Sequence, residues 1–377
     1  MIIKNGLVFC DNGEFQERDI KANNGVIAEI GESLNKNGCE AIDANECYVI
    51  PGLVDIHTHG AMGADFSDGT PEAVNTIAGF LLKNGITSFL GTTMTLPEKQ
   101  LLDICETAQP VVDKNIPGQA VLRSIHLEGP FIGFEKRGAQ NAEYITEPDF
   151  PLFMRLYEAS GKAVKIIVTA PEAEGSPEFI HAAAQVCTVS LAHSSSDYQT
   201  AKKAFEAGAS HVTHLFNGMN PLNHREPGIA GAAFDSGVYV ELIADGIHIH
   251  QSVVRAVFKL FGDDRVCLIS DSMRACGLAD GQYDLGGQTV TVNGRTATIG
   301  SGSLAGSVTT LADCMRRSVE FGVTLSGAIK ASTINPARSA GIEKAIGSLT
   351  AGKQADILVL DRTLTLKHII LGGIIIM

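Results

Sequence analysis

The feature that most constrains the fold is an alternation of short apolar runs with segments of helical periodicity between residues 48 and 270. This alternation is typical of β/α units, whose strands form a parallel sheet. Eight such units predict a closed (β/α)8 TIM-like barrel, in which functional residues lie at the carboxyl ends of the strands. The eight predicted strands are 48–56, 87–91, 121–127, 164–169, 188–192, 210–215, 238–244 and 266–270.

Capping residues and prolines mark the helices between these runs. Thr70 and Pro71 supply an N-cap and a proline at the first helical position, and the apolar residues that follow recur at helical spacing up to Gly85. Ser176 and Pro177 mark the start of another helix in the same way. Further helices are predicted over 196–208, 251–261, 307–321 and 325–333, and an inserted hairpin with an Asn-Gly turn is predicted over 289–298.

Both ends of the chain have a different pattern, in which short strands alternate with Gly and Asn turns. Residues 1–50 lack convincing helical periodicity, and residues 355–361 and 367–377 are also strand-like. The two ends are therefore expected to pair in one small β-sandwich domain. The predicted division is a small domain of residues 1–48 and 346–377 and a hydrolase barrel of residues 49–345.

Composition and charge exclude several classes of function. The formal net charge of −13 argues against binding to nucleic acid or to anionic membranes. The eight cysteines are scattered and include no Cys-x-x-Cys pair, which argues against a disulfide framework and indicates a reducing compartment. The start of the chain lacks the apolar run of a signal peptide, and the apolar residues 369–376 are too few to span a bilayer. We expect a cytoplasmic protein with no membrane or nucleic-acid partner.

The first predicted strand ends in His57-Thr58-His59. Side chains two residues apart in a strand point to the same face, so both imidazoles can approach one point in space. Neutral imidazole binds zinc, iron and similar ions. Two histidines alone do not make a metal site, and a pair of surface histidines at a strand end is the alternative interpretation.

The ends of later strands supply further candidate ligands. Glu128, His193 and His214 lie at the ends of strands three, five and six. They form a three-ligand set that leaves a coordination position for water. His57 and His59 can hold a second ion, with Glu128 as a bridge.

Asp271, at the end of strand eight, is the candidate general base. It would take the proton of the attacking water and deliver it to the leaving amine. Together the strand-end residues predict metal-dependent hydrolysis with one or two divalent ions, zinc, iron or similar. Two further residues, His126 and Asp55, share strand faces with candidate ligands and are expected to support the ligands rather than to bind metal.

The chain resembles the amidohydrolase superfamily, and within it the N-acetylglucosamine-6-phosphate deacetylase family, over essentially its whole length. The fourth strand ends without the superfamily's usual carboxylated lysine, and Glu128 takes the bridging place, as it does in this deacetylase family. The segments that carry the resemblance are PGLVDIHTHG at 51–60, HLEGPF at 126–131, THLFNGM at 213–219, REPG at 225–228, ADGIH at 244–248, LAGS at 304–307 and NPA at 335–337.

The resemblance implies hydrolysis of N-acetylglucosamine 6-phosphate to glucosamine 6-phosphate and acetate, in amino-sugar catabolism and cell-wall sugar recycling. It implies that Glu128, His193 and His214 bind metal and that Asp271 is the acid/base. It also implies a homodimer with the active sites near the interface. The implied contacts to the sugar phosphate are Ala139, Gln140, Asn217, Gly218, Arg225, His248, Leu304, Ala305 and Gly306.

Three of the implied contacts have a chemical interpretation of their own. Some family members carry His where this chain has Gln140, and glutamine can donate a hydrogen bond but cannot supply a proton. A guanidinium binds phosphate bidentately, so Arg225 is the best phosphate ligand; the alternative is a surface arginine in a loop. His248 follows a strand end and is interpreted either as a phosphate contact or as a structural histidine.

Three other functions remain open at this level. The sequence does not separate N-acetylglucosamine 6-phosphate from its N-acetylgalactosamine epimer. Another N-acyl or cyclic-amide hydrolase of the same superfamily would share the metal ligands without needing Arg225. A non-catalytic binding protein on the same fold is disfavoured by the intact set of ligands and Asp271.

Overall fold

The larger part of the protein is a barrel of parallel strands, each hydrogen-bonded to the strand that follows it in the barrel. The computed structural model describes residues 1–36 and 38–377. The predicted (β/α)8 barrel is confirmed. Barrel strands one to eight are Leu53–Thr58, Ile86–Thr93, Val121–Leu127, Val164–Thr169, Thr188–Leu191, His211–Val212, Tyr239–Leu242 and Val266–Leu268.

The first and eighth strands approach each other where their carboxyl ends meet. A parallel bridge joins Thr58 to Ser272. The Asp271 N–H donates to the His57 carbonyl at 3.0 Å, and the His59 N–H donates to the Ser272 carbonyl at 2.8 Å. The seam that closes the barrel is therefore built from the backbone of predicted active-site residues.

The helices cover the outside of the barrel with their apolar faces. In the first, the Thr70 hydroxyl accepts a hydrogen bond from the Ala73 N–H at 3.2 Å, and Ile77 and Leu81 are buried against the strands. The predicted helices are confirmed as Pro71–Lys83, Ser176–Ala183, Tyr198–Ala207, Gln251–Phe261, Leu311–Glu320 and Leu325–Ser332. Helices that the sequence patterns did not predict are Glu98–Ala108, Phe150–Ala159, Gly228–Ser236 and Ile334–Ser339.

The two chain ends form one eight-stranded sheet, which confirms that they pair. Alternate residues of a strand face opposite sides, and this sheet uses both of them. Ile357 and Val359 pack in the sheet's own core, whereas Leu358 and Leu360 pack against the barrel. The strands are Ile2–Phe9, Phe15–Asn23, Val26–Gly31, Ala41–Asp43, Tyr48–Pro51, Ile357–Leu360, Leu366–Leu371 and Ile374–Ile375.

The predicted strand 48–56 is two strands rather than one. Tyr48–Pro51 pairs in the end sheet, and Leu53–Thr58 begins the barrel. Gly52 lies between them, where an added Cβ would sit 2.1 Å from the Thr87 hydroxyl oxygen, so only glycine lets the chain pass from one sheet to the other there. We propose to divide the chain into an end domain and a barrel at this glycine.

A small antiparallel sheet follows the eighth barrel strand. The predicted hairpin is present, and a third strand precedes it; the strands are Gly281–Leu285, Gln288–Asn293 and Thr296–Ile299. The Gln288 amide donates to the Ala139 carbonyl, and the Arg295 guanidinium donates to the Asp245 carbonyl. These contacts fix the inserted sheet over the loops at the carboxyl ends of the barrel strands.

Short elements complete the loops. A hairpin joins Gly60–Ala61 to Ala64–Asp65, and single 3-10 turns occupy Phe66–Asp68, Gln109–Val111 and Ala142–Tyr144. Within the described residues, no helix has both the length and the apolar character needed to cross a bilayer.

A buried arginine links the barrel to the end sheet. Arg123 lies on the third barrel strand and is 6% exposed. Its guanidinium donates to the Ser88 hydroxyl at 3.0 Å, and it lies 3.4 Å from the carboxylate of Asp356, which directly precedes the end-sheet strand Ile357–Leu360. The Gln354 amide oxygen also accepts from it. This contact pairs two charges that are both removed from solvent.

Replacing this arginine (Arg123→Ala) should lower the free energy of unfolding by about 3–5 kcal/mol, because Asp356 would stay buried without its cation. Urea unfolding measured by circular dichroism tests this. The matched control is Arg155→Ala, which breaks an exposed ion pair with Glu98 and should leave the midpoint nearly unchanged. Equal destabilisation by both substitutions would contradict the role given to Arg123.

Candidate metal centre and active site

The two histidines of the first strand converge as the alternation rule predicts. His57 Nε2 and His59 Nε2 are 3.3 Å apart, and both side chains are buried. Glu128 approaches them from the end of the third strand, with one carboxylate oxygen 3.2 Å from His59 Nε2. The surface-pair interpretation of His57 and His59 is therefore wrong.

The histidines of strands five and six meet the other oxygen of the same carboxylate. Glu128 Oε1 lies 3.1 Å from His193 Nε2 and 2.8 Å from His214 Nε2. The two Nε2 atoms are 3.1 Å apart. Glu128 thus stands between two pairs of imidazoles, with Oε2 towards His59 and Oε1 towards His193 and His214.

Asp271 completes the cluster from the end of the eighth strand. Its Oδ1 lies 3.4 Å from His57 Nε2 and 3.4 Å from His59 Nε2. The residue is 8% exposed and lines the cavity described below. Asp271 is therefore placed between the candidate ligands and the space that a substrate would enter.

Three residues of this cluster have left-handed backbone conformations. The φ angles are +45° for His193, +32° for His214 and +48° for Asp271. Non-glycine residues rarely adopt such angles, and strain of this kind is concentrated at functional sites. Tertiary hydrogen bonds hold the backbone there: the Gly133 N–H donates to the His193 carbonyl at 2.7 Å. The left-handed conformation directs each side chain inward at a strand end.

The outer nitrogen of every candidate histidine ligand faces an oxygen that can only accept. His193 Nδ1 donates to the Lys136 carbonyl at 2.9 Å, and His214 Nδ1 donates to the Asn217 carbonyl at 3.1 Å. His59 Nδ1 donates to the Thr92 carbonyl at 3.3 Å, and His57 Nδ1 donates to the Glu241 carboxylate at 3.0 Å. The proton of each neutral imidazole is thus on Nδ1, and each Nε2 lone pair faces the centre.

This donor set fits divalent metal ions. Lone pairs of close imidazole nitrogens and ionised carboxylate oxygens repel one another unless a cation lies between them. The ligand atoms of Glu128, His193 and His214 lie within 4.8 Å of one another, as do those of His57, His59 and Glu128. The residues can therefore hold one ion or two, with Glu128 shared.

The electrostatics of the centre are those of a buried anionic site. Burial disfavours ionised Glu128, but the neighbouring histidines outweigh it and hold the pKa of this carboxyl well below its usual range. The pKa of Asp271 is lowered for the same reason. Burial opposes the protonated form of His57, yet nearby carboxylates, Glu241 foremost, raise its pKa to about 9. In the absence of a cation, protons would take its place, and metal binding would release them.

A cavity of about 440 Å³ opens beside the cluster. Most of the predicted substrate contacts line it; Arg225 and Ala305 do not. Arg225 is exposed in the loop 221–226, and Ala305 is buried beneath the wall. Predicted residues in the wall are Ala139, Gln140, Asn217, Gly218, His248, Leu304 and Gly306, together with His59, Glu128, His193, His214 and Asp271.

Gln140 has both ends of its amide engaged within the protein. Its oxygen accepts from the Thr95 N–H at 2.7 Å, and its nitrogen donates to Glu128 Oε2 at 2.8 Å. The backbone N–H can only donate, which fixes the amide orientation. Gln140 therefore supports the oxygen of Glu128 that faces His59.

Two residues expected to support the ligands are buried beside them. His126 donates from Nδ1 to the Ile56 carbonyl at 2.9 Å, and burial lowers its pKa to about 3, so it packs as a neutral ring. Asp55 accepts from the His57 N–H at 3.3 Å. Burial raises the pKa of Asp55 to about 7.

The sequence patterns missed Glu241, which lies below the cluster. It is fully buried in the seventh barrel strand, Tyr239–Leu242. The pattern that could have revealed it is a carboxylate within an apolar run, because buried charges are rare unless they are paired. The patterns also missed cavity-lining residues on loops and on the inserted sheet: Met94, Glu135, Lys136, Gly138, Phe216, Met219, Leu285 and Ser303.

A parallel barrel whose strand ends present four imidazoles, a shared carboxylate and an aspartate defines the class of metal-dependent barrel hydrolases. Comparison with family models places the chain within that class: residues 48–375 match the Amidohydrolase family. The chain belongs to this family, which is metal-dependent.

Similar proteins agree with this classification. The chain is 34% identical over 379 residues to the N-acetylglucosamine-6-phosphate deacetylase of Lysinibacillus sphaericus, covering 99% of this chain and 97% of that protein. It is 34% identical over 369 residues to the N-acetylgalactosamine-6-phosphate deacetylase of Escherichia coli O157:H7, covering 97% and 96%. A mutant N-acetyl-D-glucosamine-6-phosphate deacetylase from Mycobacterium smegmatis, solved with N-acetyl-D-glucosamine-6-phosphate, superposes with a TM-score of 0.93 at 28% identity, covering 100% and 99%.

Gly218 leaves room for the histidine that faces it. Its φ is +58°, and an added Cβ would lie 2.9 Å from His193 Nδ1 and 3.2 Å from the Lys136 carbonyl. The substitution Gly218→Ala should therefore break the hydrogen bond that orients His193 and weaken metal binding about tenfold or more. Titration of chelator-treated protein with Zn²⁺, against a competing fluorescent chelator, measures this affinity.

Gly175→Ala is the matched control for this substitution. Gly175 also has a positive φ, +76°, but an added Cβ would meet nothing within 4 Å. It therefore reproduces the backbone strain without the contact. Equal metal affinity in the two variants would contradict the role given to Gly218.

Proposed function

We propose that this protein hydrolyses N-acetylglucosamine 6-phosphate to glucosamine 6-phosphate and acetate, in amino-sugar catabolism and cell-wall sugar recycling in the cytoplasm. The observation that carries the proposal is the position of Asp271 beside the histidine and carboxylate cluster, on the wall of one cavity. The named activities of the similar proteins supply the substrate class.

We propose that Glu128, His193 and His214 bind one divalent ion. His57 and His59 would bind another ion, with Glu128 as the bridge between the two. Zinc or iron suits this nitrogen and oxygen donor set. When bound, such an ion lowers the pKa of water towards neutrality and polarises a carbonyl oxygen.

Asp271 would take the proton of the attacking water and pass it to the leaving amine. Its low pKa keeps it ionised at neutral pH, as a general base requires. Its Oδ1 faces both His57 and His59, so the carboxylate is held in one orientation at the cavity wall.

The remaining contacts would hold the sugar phosphate so that the amide carbon faces Asp271. Asn217, Gly218 and His248 line the cavity; with Ala139, Gln140, Leu304, Ala305 and Gly306 they form the proposed substrate set. Gln140 would act mainly through Glu128, since its amide is engaged there. Arg225 would bind the phosphate, which requires its exposed loop to close or the second subunit of the proposed homodimer to present it.

The first test compares acetate release from the metal-loaded protein with three substrates. N-Acetylglucosamine 6-phosphate should be turned over rapidly and unphosphorylated N-acetylglucosamine should not. Asp271→Asn should lower kcat about 10²–10⁴-fold while metal content is unchanged, because only the proton transfer is lost. If the metal-loaded protein released acetate from none of the three substrates, the proposal would be contradicted.

N-Acetylgalactosamine 6-phosphate is the third substrate of that test. The similarity to the Escherichia coli N-acetylgalactosamine-6-phosphate deacetylase makes this epimer the second candidate. A higher kcat/KM for N-acetylgalactosamine 6-phosphate than for N-acetylglucosamine 6-phosphate would reassign the substrate without changing the chemistry.

Arg225→Ala tests the phosphate contact. We expect KM for N-acetylglucosamine 6-phosphate to rise by at least tenfold with a smaller change in kcat, because the guanidinium contributes binding rather than chemistry. Arg155→Ala, another exposed arginine, is the control and should leave KM unchanged. Unchanged kinetics in Arg225→Ala would favour a different amide substrate that lacks the phosphate.

A further inference from the structure

We propose that Glu241 is a positioning residue that sets the metal affinity of the first ion position, the one formed by His57 and His59. Glu241 lies in the seventh barrel strand, with 0% of its surface exposed. Its Oε2 accepts from His57 Nδ1 at 3.0 Å and from the His214 N–H at 3.1 Å. The inference rests on the proposed two-ion centre.

A single oxygen of Glu241 therefore contacts both halves of the centre. His57 belongs to the first ion position and His214 to the second. An ionised carboxylate can only accept, so the contact places the His57 proton on Nδ1 and turns Nε2 towards His59. A carboxylate behind a ligating imidazole also raises the basicity of the nitrogen that binds the metal.

The contact to His57 differs in kind from those of the other histidines. His59, His193 and His214 donate from Nδ1 to backbone carbonyls. Only His57, among the four candidate ligands, donates to an ionised side chain. The first position is therefore the one whose ligand basicity depends on a side chain that can be substituted.

The second oxygen of Glu241 has no strong partner to account for its burial. Oε1 lies 3.8 Å from His126 Nδ1 and 3.8 Å from His211 Nε2, beyond hydrogen-bonding distance, and no hydrogen bond reaches it within the described residues. Burying a carboxylate is unfavourable unless it is paired. The groups that offset this cost are His57 and the His214 backbone, both part of the centre.

The test is metal titration of chelator-treated protein with Co²⁺, whose visible absorption reports each bound ion. Wild type should take up two ions. Glu241→Gln should weaken the first position about tenfold, because the charge is lost, and Glu241→Ala about 100-fold, because the acceptor is lost. The other position should keep its affinity within threefold. Wild-type affinity at both positions in Glu241→Gln would overturn the proposal.

A buried carboxylate outside the centre provides the matched control. Asp356 is 6% exposed and pairs with Arg123 at the end sheet. Asp356→Asn removes a buried charge and should leave both ion affinities unchanged. If Glu241→Ala does not fold, as judged by circular dichroism, Glu241→Gln decides the question, because glutamine has nearly the same shape.

A double substitution separates the contact of Glu241 to His57 from its contact to His214. In His57→Gln, only the second position should bind metal. Adding Glu241→Gln there should change that remaining affinity by less than threefold if Glu241 acts through His57. A further tenfold loss would place its role at His214 and overturn the assignment. Ion uptake is measured without substrate, so this test can be interpreted even if the proposed deacetylation is not observed.

Discussion

The structure depends on one buried carboxylate. Glu128 is 2% exposed, and an ionised carboxylate in that position is stable only if its lone pairs meet donors or cations. Histidines from three different strands and the Gln140 amide supply those partners. The barrel is what makes this possible, since it brings residues as distant in sequence as His59 and Asp271 to one point at the carboxyl ends of its strands.

The same constraint explains why barrel closure and active site coincide. The backbones of His57, Asp271 and Ser272 form the hydrogen bonds across the first and eighth strands. A barrel that failed to close there would separate the aspartate from the histidine pair. Closure of the barrel and assembly of the site therefore depend on the same backbone hydrogen bonds. The buried Arg123 joins the barrel to the end domain through Asp356.

Much of this arrangement could be predicted from the sequence, because the carboxyl ends of the strands of a parallel barrel converge whatever the sequences of its loops and helices. The eight strands, the histidine pair and the later candidate ligands follow from periodicity and position. What could not be predicted depends on tertiary contacts. Glu241 lies in an apolar run that gives no sign of which residue it will meet. The helix Glu98–Ala108 lacks a side-chain N-cap, and the run 48–56 gives no sign that Gly52 divides it between two sheets.

The exposed position of Arg225 could not be predicted either. A motif can identify a residue as a candidate phosphate ligand, but loops build the cavity, and periodicity does not encode the conformation of a loop. Gln140 is a second example. Its position in the sequence suggests a contact to the substrate, whereas its hydrogen bonds connect it to Thr95 and Glu128.

The left-handed conformations of His193, His214 and Asp271 connect these points. Each residue follows a strand whose hydrogen-bonding pattern would otherwise continue, and each needs the chain to turn sharply so that its side chain faces inward. The cost of a few kcal/mol for such angles is met by tertiary contacts, such as the Glu241 carboxylate on the His214 N–H. Buried polar groups beneath the candidate ligands, Glu241 among them, therefore help to hold the strand ends in these conformations.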